Sequence, residues 1–174
     1  LPAPEKPTVQ RCLDAAFRYL SYRPRSEAEL RQRLKRRGFD SSSIERALIL
    51  LKEQGLVDDV AFARFWKENR DSFSPRGRKM LESELKLKGV DPEIIVETLA
   101  GLDEESSAYE AARKKVKGGV GSDYFTFCRR LIAFLRRRGF SYEVARHTVN
   151  RLWREEKGGD PGANYSEQQN FGAS

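Results

Sequence analysis

Apolar residues recur along this chain at helical spacing. Between residues 8 and 22 they fall at Val9, Cys12, Leu13, Ala16, Phe17 and Leu20, one stripe of a helix. Ile44, Ala47, Leu48 and Leu51 form a second stripe. Ile95, Thr98, Leu99 and Leu102 form a third, and Ala145, Thr148, Val149 and Leu152 a fourth. Each of the last three follows the i, i+3, i+4, i+7 pattern of a helix with one buried face. About nine helices and no strand are predicted by this spacing. The longest strictly apolar run, Ala47 to Leu51, is far below the roughly 18 residues that a membrane-spanning helix requires.

The pattern repeats. Leu34-Lys35-Arg36-Arg37-Gly38-Phe39 returns as Leu85-Lys86-Leu87-Lys88-Gly89-Val90 and again as Leu135-Arg136-Arg137-Arg138-Gly139-Phe140. The glycines lie 51 and 50 residues apart. Agreement extends to Leu30, Leu81 and Leu131 before them, and to Leu48, Leu99 and Val149 after them. A period of this length marks a repeat architecture in which each unit stacks on its neighbours. Each copy reads as helix, glycine stop, helix, because glycine takes the left-handed C′ conformation without a Cβ clash. The motif predicts contacts of Phe39 with Leu34, Val90 with Leu85 and Phe140 with Leu135.

Helix starts are marked as well. Ser26 with Glu29 reads as a capping box. Ser74-Pro75 and Asp91-Pro92 each read as an N-cap followed by proline at the first helical position. The first two copies continue into a further helix, where Ala61 and Phe65 align with Ala112 and Val116. The expected organisation is therefore a loose arm at 1–7 and a helical repeat domain at 8–157. Within it come a lead helix at 8–22 and repeats at 26–73, 74–121 and 122–157. The Gly-, Asn-, Gln- and Ser-rich residues 158–174 are expected to be a disordered tail.

Composition refines this picture. Charged residues make up 34% and apolar residues 39% of the 174, against a globular norm of about 25% and 45–50%. The core is thin, so an elongated all-α body is expected. Net charge is +7, and it is concentrated. Residues 23–37 carry +5, residues 76–88 carry +3 and residues 129–138 carry +5, so the remainder carries −6. The first helix of every repeat is the basic one, and stacking equivalent helices side by side would make a basic stripe.

Two readings of that charge compete. Arg36, Arg37, Lys88, Arg136, Arg137 and Arg138 precede glycine stops, where cations oppose the helix macrodipole. That does not explain Arg25, Arg31, Arg76, Arg78, Arg129 or Arg130. A surface for a polyanion, or for an acidic groove on a protein, explains both groups and adds Lys86. These thirteen residues are the candidate contact set.

Catalytic chemistry has little support. His147 is the only histidine, and its counterparts Arg46 and Glu97 place it on a polar helix face. Cys12 and Cys128 are far apart, fall on apolar stripes and read as packing residues. With one histidine they form no usual structural zinc set. There is no Walker loop or dinucleotide fingerprint, and no cofactor is expected. Asp58-Asp59 and Asp103-Glu104-Glu105 lie at helix starts, where acids compensate the dipole. Phe62, Phe65, Trp66 and Trp153 sit at core spacing, which favours backbone electrostatics over base stacking. No basic segment followed by an apolar run opens the chain, and the expected compartment is the cytoplasm.

Several segments together resemble one family. They are Arg23-Pro24-Arg25-Ser26-Glu27-Ala28-Glu29-Leu30 with Leu34 and Gly38-Phe39, and Gly55-Leu56-Val57-Asp58-Asp59 with Phe62-Ala63. Ser74-Pro75-Arg76 with Glu84-Leu85 and Lys88-Gly89-Val90 follows, then Phe134 through Phe140. In order and spacing, over residues 12–153, they resemble the RecX family, bacterial regulators of the RecA recombinase. The resemblance implies tandem three-helix repeats in an extended, curved body. It implies a non-enzymatic protein that binds RecA and the groove of the RecA–single-stranded DNA filament; a monomer is expected. It implies inhibition of ATP hydrolysis and strand exchange, and so modulation of recombinational repair and the SOS response. It names no individual contact residues. Two alternatives stay open on the residues themselves: a general nucleic-acid-binding helical module, and an adaptor that holds an acidic protein and ignores DNA.

Overall fold

The computed structural model describes residues 8–117 and 123–157. The arm expected at 1–7 and the tail expected from Gly158 lie outside them. The described residues form nine α-helices and no strand. These are α1 (Thr8–Tyr22), α2 (Glu27–Arg36), α3 (Ser41–Glu53), α4 (Asp59–Phe73), α5 (Arg78–Leu87), α6 (Pro92–Leu99), α7 (Glu104–Val116), α8 (Tyr124–Arg137) and α9 (Tyr142–Lys157).

The chain divides into two compact units. The first comprises Leu1–Glu68 with Glu82–Ala100, the second Asn69–Leu81 with Gly101–Ser174. In the first, α1, α2 and α3 pack on one another around Cys12, Ala16, Leu30, Leu34, Ile44, Leu48 and Leu51. In the second, α7, α8 and α9 do the same around Ala108, Ala112, Phe127, Leu131, Leu135, Val149 and Leu152. The Trp153 ring lies edge-on to Phe127, with centroids 5.1 Å apart. The helix at 8–22 is thus the first member of a packed group of three.

Glycine stops end the first helix of each copy. Gly38, Gly89 and Gly139 have φ of 90°, 74° and 87°. The amide after each glycine donates back to the C3 carbonyl: Phe39 to Leu34 at 3.3 Å, Val90 to Leu85 at 3.1 Å, Phe140 to Leu135 at 3.2 Å. This is the Schellman pattern. A fourth instance, which the repeat did not point to, ends α3 at Gly55, where Leu56 donates to Leu51 at 2.9 Å.

Two predicted starts differ from the structure. α5 begins at Arg78, not after Ser74-Pro75, and the Gly77 carbonyl accepts the first helical bonds from Met80 and Leu81. The capping box at Ser26 is half made. Ser26 Oγ accepts from the Glu29 amide at 3.1 Å, but the Glu29 carboxylate turns instead to Arg23 and Lys88. Asp91 and Pro92 behave as expected, with Asp91 capping α6.

The reason for both departures is a joint used in each unit. In the first, the end of α5 meets the start of α2. Ser26 Oγ donates to the Lys88 carbonyl, and a Cβ added at Gly89 would lie 2.4 Å from that of Ala28. In the second, the end of α8 meets the start of α5. Gly77 N–H donates to the Arg138 carbonyl at 2.9 Å. A Cβ at Gly77 would lie 2.3 Å from the Gly139 backbone, and one at Gly139 would lie 2.5 Å from Met80 Cβ. Unpaired carbonyls at a helix end thus meet donors at a helix start. Equivalent helices meet end to start at these joints, rather than side by side.

A second shared device ties each of α2 and α5 to the helix two further along the chain. The Glu27 amide at the start of α2 donates to Asp59 Oδ1 at 2.8 Å, from the start of α4. The Arg78 amide at the start of α5 donates to Glu104 Oε1 at 3.0 Å, from the start of α7. The acidic groups noted in the sequence thus divide: Asp58 and Asp103 cap their own helices, while Asp59 and Glu104 cap earlier ones.

Candidate basic interface

The structure separates the thirteen candidate cations into those that hold the fold and those that face solvent. In the first unit Arg25 is buried, 7% exposed. Its Nε donates to the Tyr19 carbonyl at 3.0 Å and its guanidinium lies over the Tyr19 ring. Burial, with Arg23 and Arg33 close by, pulls its pKa down. Arg31 bridges Glu27, at 2.7 Å, and Glu45. Lys88 sits 2.7 Å from Glu29 Oε1 and 4.8 Å from the centre of the Trp66 ring.

Glu29 is the residue the sequence did not single out for this role. Its side chain is 14% exposed. Its carboxylate takes both Arg23 terminal nitrogens, at 2.9 and 3.1 Å, besides Lys88. Burial alone would raise its pKa, but the bonds and charges of Arg23 and Lys88 outweigh that and hold it at about 2. The only sequence sign was an acid amid seven bases, which a capping box explained equally well.

In the second unit Arg138 has a similar fixed role. Its Nη1 donates to Ser74 Oγ and to the Pro75 carbonyl, each at 3.2 Å, and its guanidinium lies 4.6 Å from the Phe134 ring centre. Burial and the charge of Arg76 lower its pKa. Arg78 is half-buried beside Glu104, at 4.0 Å, and Arg76 is half-buried.

Seven candidates remain exposed: Arg36, Arg37 and Lys86 in the first unit, and Arg129, Arg130, Arg136 and Arg137 in the second. Two neighbours of α2, Arg33 and Lys35, belong with the first group. They fell within the +5 segment but were not singled out. Arg33, Arg36 and Arg37 line a hollow of about 410 Å³ with Tyr19, Glu29 and Gln32. Arg33 lies 5.3 Å from the Tyr19 ring centre, so Tyr19 is flanked by Arg33 and Arg25. A second hollow, about 440 Å³, lies between α7 and α9 and carries Arg146, His147, Arg151 and Arg154. The apolar pattern of α9 points to its buried face and to His147 on a polar one, and gives no sign of the grouping of Arg146, Arg151 and Arg154. Arg151 there is already engaged, at 2.9 Å from Glu155 and 4.1 Å from the Tyr109 ring centre.

His147 is exposed, Cys12 is buried and Cys128 half-buried, with both cysteines unpaired. Burial raises both thiol pKa values, and Asp40 adds to the effect at Cys12. Among the described residues no group of His, Cys, Asp and Glu could hold a metal ion. No helix there is long and apolar enough to cross a membrane. Phe62 is buried, as is Trp153, while Phe65 and Trp66 are half-buried, and Trp66 Nε1 donates to Glu84 at 2.8 Å.

The architecture is that of an all-α protein of tandem three-helix domains whose helix ends carry exposed arginines. Comparison with known proteins gives that class a family. Residues 12–49 match the model of the RecX first three-helix domain, 58–99 the second and 103–149 the third. The regulatory protein RecX of Chlorobaculum tepidum is 40% identical over 144 residues, covering 83% of this chain and 89% of that one. That of Amycolatopsis mediterranei is 36% identical over 156 residues, covering 87% and 89%. The crystal structure of RecX from Lactobacillus salivarius superposes with a TM-score of 0.70 at 22% identity, over 83% of this chain and 96% of that one. The chain belongs to the RecX family, whose members are regulatory proteins.

Proposed function

We propose that this protein binds RecA and the RecA–single-stranded DNA filament in the cytoplasm and inhibits its ATP hydrolysis and strand exchange. It thereby modulates recombination, DNA repair and the SOS response, with no catalysis of its own. Membership of a family of regulators supports the class of role. The observation that carries the reading further is the set of exposed cations that folding does not use. Arg36, Arg37, Lys86, Arg129, Arg130, Arg136 and Arg137 are exposed and make no ion pair among the described residues. Surface cations without internal partners are what a polyanionic filament would recognise. Bridging neighbouring RecA subunits would resist the motions that accompany nucleotide turnover.

The test is ATP hydrolysis by RecA on single-stranded DNA, titrated with this protein at near-physiological salt. Inhibition well below one molecule per RecA is expected, because competition for bare DNA would need far more protein. No inhibition at excess would reject the reading. It would put first a nucleic-acid-binding module acting through the same arginines, recognisable by a steep salt dependence on bare DNA.

A further inference from the structure

The joint between α5 and α2 creates a groove that the arginine inventory does not explain. It holds about 470 Å³ and is lined by Ala28, Arg31 and Lys35 of α2 and by Lys86, Leu87 and Lys88 at the end of α5. Two of its four cations are already neutralised, Arg31 by Glu27 and Glu45 and Lys88 by Glu29. Lys35 and Lys86 are exposed. Between the two cations of α5 stands Leu87, 88% exposed.

Leu87 breaks the repeat. The same position before the glycine is Arg36 in the first copy and Arg137 in the third. Both arginines are exposed too, so the position contributes nothing to a core in any copy. A leucine there cannot be assigned to packing. It is an apolar side chain presented to solvent, with two exposed lysines in the same groove that make no ion pair among the described residues. A nucleic-acid backbone would gain nothing from Leu87 and would gain from the arginine that the other copies carry. A protein segment gains from both, through apolar burial and charge complementarity.

We infer that this groove docks an acidic segment of a protein partner, which sets one apolar side chain against Leu87 and carboxylates beside Lys35 and Lys86. The inference rests on the filament reading above for the partner to be tested, and it goes beyond that reading by assigning the contact to protein rather than to DNA.

The experiment compares wild type, Leu87→Ser, Leu87→Arg and the pair Lys35→Glu with Lys86→Glu. Binding is measured to preassembled RecA–single-stranded DNA filaments and to the same DNA without RecA. All substituted side chains are exposed, and a urea melt confirms that each variant is folded. Leu87→Ser should weaken filament binding at least about tenfold and leave bare DNA binding unchanged. Leu87→Arg should weaken filament binding as well, despite its added positive charge, and the charge reversals should do the same. Tighter filament binding by Leu87→Arg would make the groove a nucleic-acid site and overturn the inference. Filament binding by both Leu87 variants equal to wild type would overturn it while leaving the filament reading intact. Failure of wild type to bind filaments at all would remove the filament reading, and this inference with it.

Discussion

Three glycines share one backbone conformation but not one neighbourhood, and that difference gives a sharp test of the joints. Alanine at Gly38, Gly89 or Gly139 must adopt φ of 90°, 74° or 87°, which costs roughly 1–2 kcal/mol at each. At Gly38 nothing lies within 4 Å of the added methyl, so the cost stops there. At Gly89 the methyl meets Ala28 Cβ at 2.4 Å, and at Gly139 it meets Met80 Cβ at 2.5 Å and the Met80 amide nitrogen at 2.7 Å. Overpacking of this kind adds about 1–3 kcal/mol. Gly89→Ala and Gly139→Ala should therefore lose about 2–5 kcal/mol. Gly139→Ala should be the worse, because backbone rather than a methyl must move. Urea denaturation followed by circular dichroism measures all three. A double-mutant cycle adds the decisive control. Ala28→Gly removes the obstructing methyl and alone costs about 1 kcal/mol, so combined with Gly89→Ala it should return the overpacking part as a coupling of about 1–3 kcal/mol. Equal losses at all three glycines, together with an additive cycle, would refute the joint.

Further predictions concern charge. Glu29 is held at about 2 in the folded state against about 4.3 in an unfolded chain, which corresponds to about 3 kcal/mol of stability. Because the folded pKa is the lower one, that contribution is full above the unfolded pKa and is lost as pH falls towards 2. Glu29→Gln should thus cost about 2–3 kcal/mol at pH 7, and its melting curve should converge on wild type as the pH falls through that window. Arg136→Glu with Arg137→Glu should leave the urea midpoint within about 0.5 kcal/mol of wild type and weaken filament binding. Arg138→Ala should instead lose about 1–3 kcal/mol of stability, since it strips two hydrogen bonds from Ser74 and Pro75. Trp153→Ala should cost about 3–5 kcal/mol, because its buried ring packs on Phe127 and Tyr124, and thermal melting would register it.

What could be read from residues alone followed the range of the interactions involved. Glycine stops, the Asp91-Pro92 start and most of the buried stripes depend on neighbours within a few positions, and the sequence carries them directly; Phe17, which is exposed, and Leu102, beyond the end of α6, depart from their stripes. The start of α5 does not. Ser74-Pro75 has the composition of a helix start, but Gly77 begins the helix, held by the Arg138 carbonyl 61 residues away. The same limit governs the cations. Arg136, Arg137 and Arg138 are indistinguishable in sequence, yet only the third turns towards Ser74 and Pro75. Lys86 and Lys88 differ in the same way, because Glu29, 59 residues away, pairs with Lys88 while Lys86 faces solvent. Local periodicity locates a basic helix end; which of its charges is spent on folding depends on which helix start arrives beside it.

The borrowed caps have a consequence for how the chain opens. The first amides of α2 and α5 are protected only while Asp59 and Glu104, at the starts of α4 and α7, stay in place. Fraying at the start of either later helix leaves the earlier one with an orphaned donor. Ser26 caps α2 at the Glu29 amide, and α8 is capped at Thr126 by its own Asp123. Amide exchange at Glu27 and Arg78 should therefore report the opening of the following segment, not of their own helix, while exchange at Thr126 should track α8 alone. Each of α2 and α5 acts as a sentinel for the helix two further on, so a cut or strain applied downstream would be felt first at an amide some thirty residues upstream.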